Sequence, residues 1–266
     1  MSQLRYIVPI GRTPVTAPRL RLYCFHHAGG SAGNFAKWPA GLPSFEVRAI
    51  QLPHRFLPAG VARASHLDAL LPGMADEVAG AQADALPFAF YGHSLGALVA
   101  FELARTLRAR GGAQPVALAI SGHRAPHRLL GRPPICELEQ TAFIDRLRGL
   151  GGMPESVLTD TRTLSYILPT LRADLRLSEI YDYREEPPLS LPLFGFRGQD
   201  DPLLNEADYA AWADVTRGPS VLRTLPGHHF FEQEGLEALH AHLVDDLTRL
   251  ASKRPARRRR DPAEAL

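Results

Sequence analysis

The chain has 266 residues, 45% apolar and 22% charged, with a formal net charge of +2. That length suits one α/β domain with an insertion, and the near-balanced charge gives no global reason to expect a nucleic-acid binder. No run approaches the ~18 apolar residues of a membrane helix, the first residues lack a signal-peptide core, and Cys24 and Cys136 cannot build a disulfide framework; a cytoplasmic protein with two reduced thiols is expected.

Short apolar runs bounded by Gly or Pro read as strands. LRLYCF (20–25) is the first. The loop after it, His26-His27-Ala28-Gly29-Gly30-Ser31, is built of small residues that let backbone approach a ligand closely. Its two histidines have no carboxylate or cysteine at ligand spacing, so no metal is expected. VRAIQL (47–52) is the second strand and PFAFY (87–91) the third. The segment 97–110 reads as a helix, with arginines towards its end, where the dipole favours cations, and Gly111-Gly112 as its stop.

VALAIS (116–121) is the fourth strand. About seventy residues without a strand signal follow, with helical patterns at 137–150 and 161–181. Pro133-Pro134, Gly151-Gly152 and Pro187-Pro188 punctuate them, and the glycine pair is a candidate hinge. A helical lid at about 126–188, inserted into a domain spanning 1–251, is expected. LPLFGF (191–196) and SVLRTL (220–225) complete the strands, with helices at 206–215 and 236–250. The end, SKRPARRRRDPAEAL (252–266), has almost nothing to bury and reads as a disordered basic tail. Strands alternating with helices imply a mostly parallel sheet covered on both faces.

Gly92-His93-Ser94-Leu95-Gly96 matches G-x-S-x-G, a pattern that arises by chance in roughly one chain of this length in ten. Its context makes it informative. It follows a strand and opens a helix, the setting of a strained turn that exposes a nucleophilic serine. Such a serine needs a base, and the base an orienting acid, in the chain order Ser, Asp or Glu, His. Gly198-Gln199-Asp200-Asp201-Pro202 and Gly227-His228-His229-Phe230-Phe231 follow the fifth and sixth strands, where open parallel sheets bind ligands. Spacing alone chooses neither between Asp200 and Asp201 nor between His228 and His229. For the oxyanion of acyl chemistry, the candidate donors are the amides of Leu95 and of Ala28, each worth ~3 kcal/mol.

CFHHAGGSA (24–32), QLPHR (51–55), YGHSLGALVAFELAR (91–105), LPTLRADLRLSEIYDY (168–183), and GQDDPLL together with PGHHFFE carry a family resemblance. They are similar to C-F-P-[YH]-A-G-G-S-A, Q-L-P-G-R, G-H-S-[ML]-G-A, a lid segment with P-x-L-R-A-D, G-x-x-D-P and G-G-H-F-F. From about Leu20 to Leu250 the chain resembles the type II thioesterases, stand-alone editing enzymes of polyketide and non-ribosomal peptide synthases. His26 stands where the family has proline, and His54 and His228 where it has glycine.

The resemblance implies an α/β-hydrolase fold with Ser94 as nucleophile, His229 as base and Asp201 as acid. It implies a cofactor-free hydrolysis of acyl thioesters from the phosphopantetheine arm of an acyl or peptidyl carrier protein, through an acyl-serine. Leu150, Met153, Leu164 and Ile167 are candidate walls of an acyl chamber under the lid, with ordinary lid packing as the competing role. No nucleic-acid or membrane partner is expected, and a monomer is the default. Two other readings stand beside this one: a general carboxylester or acyl-CoA hydrolase on the same fold, and a non-catalytic binding protein, against which the intact Ser94, Asp201 and His229 argue.

Overall fold

The computed structural model describes residues 5–11, 15–53, 63–150 and 153–253. His54, the Gly151-Gly152 hinge and the tail from 254 onward lie outside them. Among the described residues seven strands form one sheet: β1 (Ile7–Pro9), β2 (Leu20–Phe25), β3 (Phe45–Ile50), β4 (Phe88–His93), β5 (Leu118–Ser121), β6 (Leu193–Gly198) and β7 (Ser220–Leu225). Their order is β1-β3-β2-β4-β5-β6-β7, parallel throughout except for β1, which runs antiparallel to β3. The helices are α1 (Trp38–Gly41), α2 (Leu71–Ala81), α3 (Leu95–Ala109), α4 (Gln140–Leu150), α5 (Glu155–Leu158), α6 (Thr161–Glu179), α7 (Glu206–Ala210) and α8 (Gln233–Lys253).

Alternation along the strands builds two cores. Tyr23 and Phe25 of β2, Phe88 and Phe90 of β4, and Leu118 and Ile120 of β5 pack on one face with α2 and α3. Leu22, Cys24, Ala89, Tyr91 and Ala119 point to the other, against α1 and α8. The first half of helix α3, Leu95 to Phe101, is apolar all round and wholly buried, whereas Glu102, Thr106 and Arg108 are partly exposed further along. Helix α8 presents the stripe Leu239, Leu243 and Leu247, each fully buried and worth ~2 kcal/mol of transfer free energy. Cys24 lies in β2 and Cys136 in the segment before α4, both buried, and burial pushes the Cys24 thiol well up and that of Cys136 up to about 11.

Four expectations are corrected. Strand β1 and helix α2 carry no strong pattern of their own. The strand expected at 47–52 is Phe45–Ile50; just beyond it the Gln51 amide still donates to the Tyr6 carbonyl at 2.8 Å, while the Gln51 side chain accepts the Ala32 amide at 2.8 Å and donates to the Leu52 carbonyl at 3.0 Å. The helix expected at 206–215 divides into α7 and a 3-10 turn, Ala211–Val215. Residues 252 and 253, expected in the tail, belong to α8, which continues to Lys253.

Helices α4, α5 and α6 lie between β5 and β6 and form an insertion with its own small core of Ile135, Phe143, Leu147, Leu158, Leu164, Leu168 and Leu171. Asp160 caps α6 by accepting the Arg162 amide at 3.1 Å. Strand β2 sits between β3 and β4, so the sheet grows in opposite directions from it. The ends of β2 and β4 therefore flank the crevice where open α/β sheets bind ligands. No helix among the described residues is long and apolar enough to cross a membrane.

Candidate active site

Ser94 stands in the turn between β4 and α3 with φ 54° and ψ −122°. That region is strained for a residue with a Cβ and costs about 1–3 kcal/mol, which the surrounding structure must enforce. The Ser94 amide donates to the Ser121 carbonyl of neighbouring β5 at 2.8 Å, and its own carbonyl accepts the Ala97 amide at 2.9 Å. The flanking glycines are obligatory. A Cβ on Gly92 would lie 2.1 Å from the Gly96 carbonyl oxygen, and one on Gly96 would lie 2.1 Å from that of Phe25. The turn is thus closed against its own helix and against β2.

Asp201 and His229 follow β6 and β7. The His229 Nδ1–H donates to Asp201 Oδ2 at 2.9 Å, and Asp201 Oδ1 accepts the Leu203 amide at 2.9 Å. Both side chains are buried. A donating Nδ1 leaves Nε2 with its lone pair, the form a general base requires. The other members of the doublets face out: Asp200 and His228 are exposed, joined by a 3.2 Å contact between His228 Nδ1 and the Asp200 carbonyl. Ser94 and His229 line one cavity of about 590 Å³. Its hydroxyl makes no hydrogen bond to a described residue, and contacts of this kind commonly tighten only with substrate bound.

Ala28 lies on the wall of the same cavity, and Leu95 opens α3, so its amide belongs to the first turn, which has no intrahelical acceptor. His26 serves structure: Nδ1 donates to the His27 carbonyl at 2.7 Å, and Nε2 accepts the Leu52 amide at 3.2 Å. No cluster that could hold a metal ion occurs among the described residues. Three further histidines surround the site and are held neutral. Burial, then the Ala28 carbonyl and neighbouring histidines, sets His27, which is lowered to about 4. Burial and then Arg124 lower His123 to about 3, and burial followed by His229 puts His93 well below its ordinary value.

Met153 and Ile167 line the cavity. Leu164 does not: it is buried in the insertion's own core, on the same helix face as Leu171 but two turns nearer the start of α6. Leu150 ends α4, and its side chain lies outside the described residues. Sequence reasoning missed Leu171 and Leu175, which continue the wall from Ile167. The signal was present as i, i+4, i+8 spacing along one helix face. It also missed a polar wall of His123, Arg124, Ser178 and Glu179. Here His123 Nε2 accepts from Ser178 Oγ at 3.0 Å and Arg132 pairs with Glu179 at 2.6 Å.

A thioesterase domain model matches residues 20–247. Gramicidin S biosynthesis protein GrsT of Aneurinibacillus migulanus is 37% identical over 220 residues, covering 82% of this chain and 85% of the relative. The solved structure of RedJ, a thioesterase from the prodiginine biosynthetic pathway in Streptomyces coelicolor, is 35% identical with a TM-score of 0.79, covering 88% of this chain and 94% of that one. YbtT, a type II thioesterase from the yersiniabactin NRPS/PKS pathway, is 26% identical with a TM-score of 0.82, covering 92% and 99%. The sheet described above is that of an α/β hydrolase.

Proposed function

The chain belongs to the thioesterase domain family, and on that premise we propose that it hydrolyses acyl thioesters carried on the phosphopantetheine arm of a synthase carrier protein. Ser94 Oγ attacks the thioester carbonyl while His229 Nε2 takes its proton, and Asp201 holds the imidazole and the charge it acquires. The Ala28 and Leu95 amides receive the oxyanion. His229 returns the proton to the departing thiolate, leaving an acyl-Ser94 ester and the free thiol of the arm. Water, deprotonated by His229, then splits that ester to the carboxylic acid and regenerates the serine.

The observation that carries this reading is the buried His229–Asp201 pair and the strained Ser94 on one cavity, opposite an apolar face of α6. We read residues from about 126 to 188 as the lid over an acyl chamber, and the role as removal of stalled acyl groups from a polyketide or peptide assembly line. A cytoplasmic monomer fits the reading. Its similarity to proteins of the gramicidin S, prodiginine and yersiniabactin pathways supports an assembly-line setting.

The test is turnover on one acyl group presented three ways: on a carrier protein, on coenzyme A and as a simple ester. The carrier thioester is expected to give the highest kcat/KM. Equal or faster turnover of the simple ester would replace this reading with that of a general ester hydrolase.

A further inference from the structure

The loop that bears Ala28 is held from an unexpected direction. The Gly29 amide donates to Asp174 Oδ2 at 2.9 Å, a bond spanning 145 residues from β2's loop to the insertion helix α6. Asp174 is 1% exposed. Gly29 has φ 72°, and a Cβ there would lie 2.9 Å from Leu171 Cδ1, one turn earlier on the same helix. Ala28 itself packs against the insertion's core. The opposite end of the same peptide unit is also fixed: the Ala28 carbonyl accepts the His27 Nδ1–H at 2.9 Å.

A peptide unit is planar, so holding its N–H and its C=O fixes the orientation of the whole group. The Ala28–Gly29 unit is pinned in this way, by a carboxylate at one end and an imidazole at the other. Its orientation sets ψ of Ala28 and so restricts where the Ala28 amide points. We propose that Asp174 is a positioning residue that aims the Ala28 amide at the acyl oxygen from the insertion helix. This rests on the thioesterase reading above. A charge-assisted bond to a buried carboxylate is among the stronger ties available. Removing it takes the carboxylate acceptor from the half-buried Gly29 N–H and loosens the orientation of the unit. Because Ile167, Leu171 and Leu175 of α6 line the cavity, the helix that contacts the acyl chain also holds the loop that stabilises the oxyanion.

The experiment compares the full chain with D174A and D174N on an acyl thioester of N-acetylcysteamine. D174A is expected to lower kcat on the order of 10- to 100-fold, the scale of a misplaced oxyanion donor, with KM nearly unchanged. D174N, which keeps an acceptor oxygen, is expected to fall between D174A and the parent. A raised KM with unchanged kcat, or D174N as impaired as D174A, overturns the proposal. If D174A does not fold, the amide proton resonances of Gly29 and Ala28 in isotopically labelled D174N take its place. Both are expected to move relative to the parent, and unmoved resonances overturn the proposal. A parent chain inactive on every thioester would end the thioesterase reading instead, and the resonances would still report the tie.

Discussion

The sheet and the insertion are held by different means. In the sheet, six parallel or antiparallel pairings and two continuous apolar layers fix each strand end, and the elbow and the His229–Asp201 pair sit on those ends. The insertion has a small core of its own and is joined to the sheet by Leu177 of α6, buried in the sheet's core, and by individual polar ties: Asp174 to Gly29, Ser178 to His123, and the Tyr181 hydroxyl to Glu102 at 2.6 Å. The lesson is a division of labour. Reacting groups are placed by the part with the greater cooperative burial, and the substrate wall by the part that can change with little effect on the sheet.

The largest effects test the sheet side, through its two doublets. H229A is expected to reduce turnover on the order of 10⁶-fold and D201N about 10⁴-fold. H228A and D200N, at exposed positions, should leave most activity, as steady-state rates on one thioester would show. Equal losses within either doublet would break the distinction between buried and exposed partners.

A smaller effect tests the insertion. Leu164→Ala is expected to destabilise by about 2–5 kcal/mol in denaturant unfolding, as for other buried leucines. If the insertion's own core melts apart from the sheet, this loss appears in a distinct transition of α4–α6, with the elbow still reactive to a fluorophosphonate. One shared transition would show that the insertion is cooperative with the sheet.

A further effect, read as a slope, is a pH dependence of stability at the boundary. His27, His93 and His123 are all lowered below the ordinary 6.5 by burial. Below that pH the unfolded chain takes up protons that the folded chain refuses, so stability falls as the pH drops from 6.5 towards 4, and is fully present above it. Thermal unfolding across this range should show the slope, and H123Q should flatten it. An unchanged slope would place the acid sensitivity elsewhere.

Much of the sheet was legible because its strands announce themselves locally: LRLYCF and PFAFY are short, apolar and bounded. Strand β1 was not, since three residues ending in Pro9 carry no periodicity, and it exists by pairing with β3 and by Glu77 accepting the Tyr6 and Ile7 amides at 2.6 and 3.0 Å. Ser94 was legible because an elbow is a local sequence event. The two doublets were not separable from the residues alone, because burial of Asp201 rather than Asp200 is decided by how β6 and β7 end side by side. The chamber was half legible: Ile167 came with its helix, whereas Leu164, on the same helix face, is buried within the insertion's own core, a difference set by tertiary neighbours that helical spacing does not encode.

The two cysteines bear on how turnover can be watched. Both thiols are buried and held protonated, and thiolate is the form that attacks a disulfide reagent. A chromogenic disulfide added to the folded chain should therefore draw almost no colour from the protein itself, so the thiol released by each turnover can be counted continuously against a dark background.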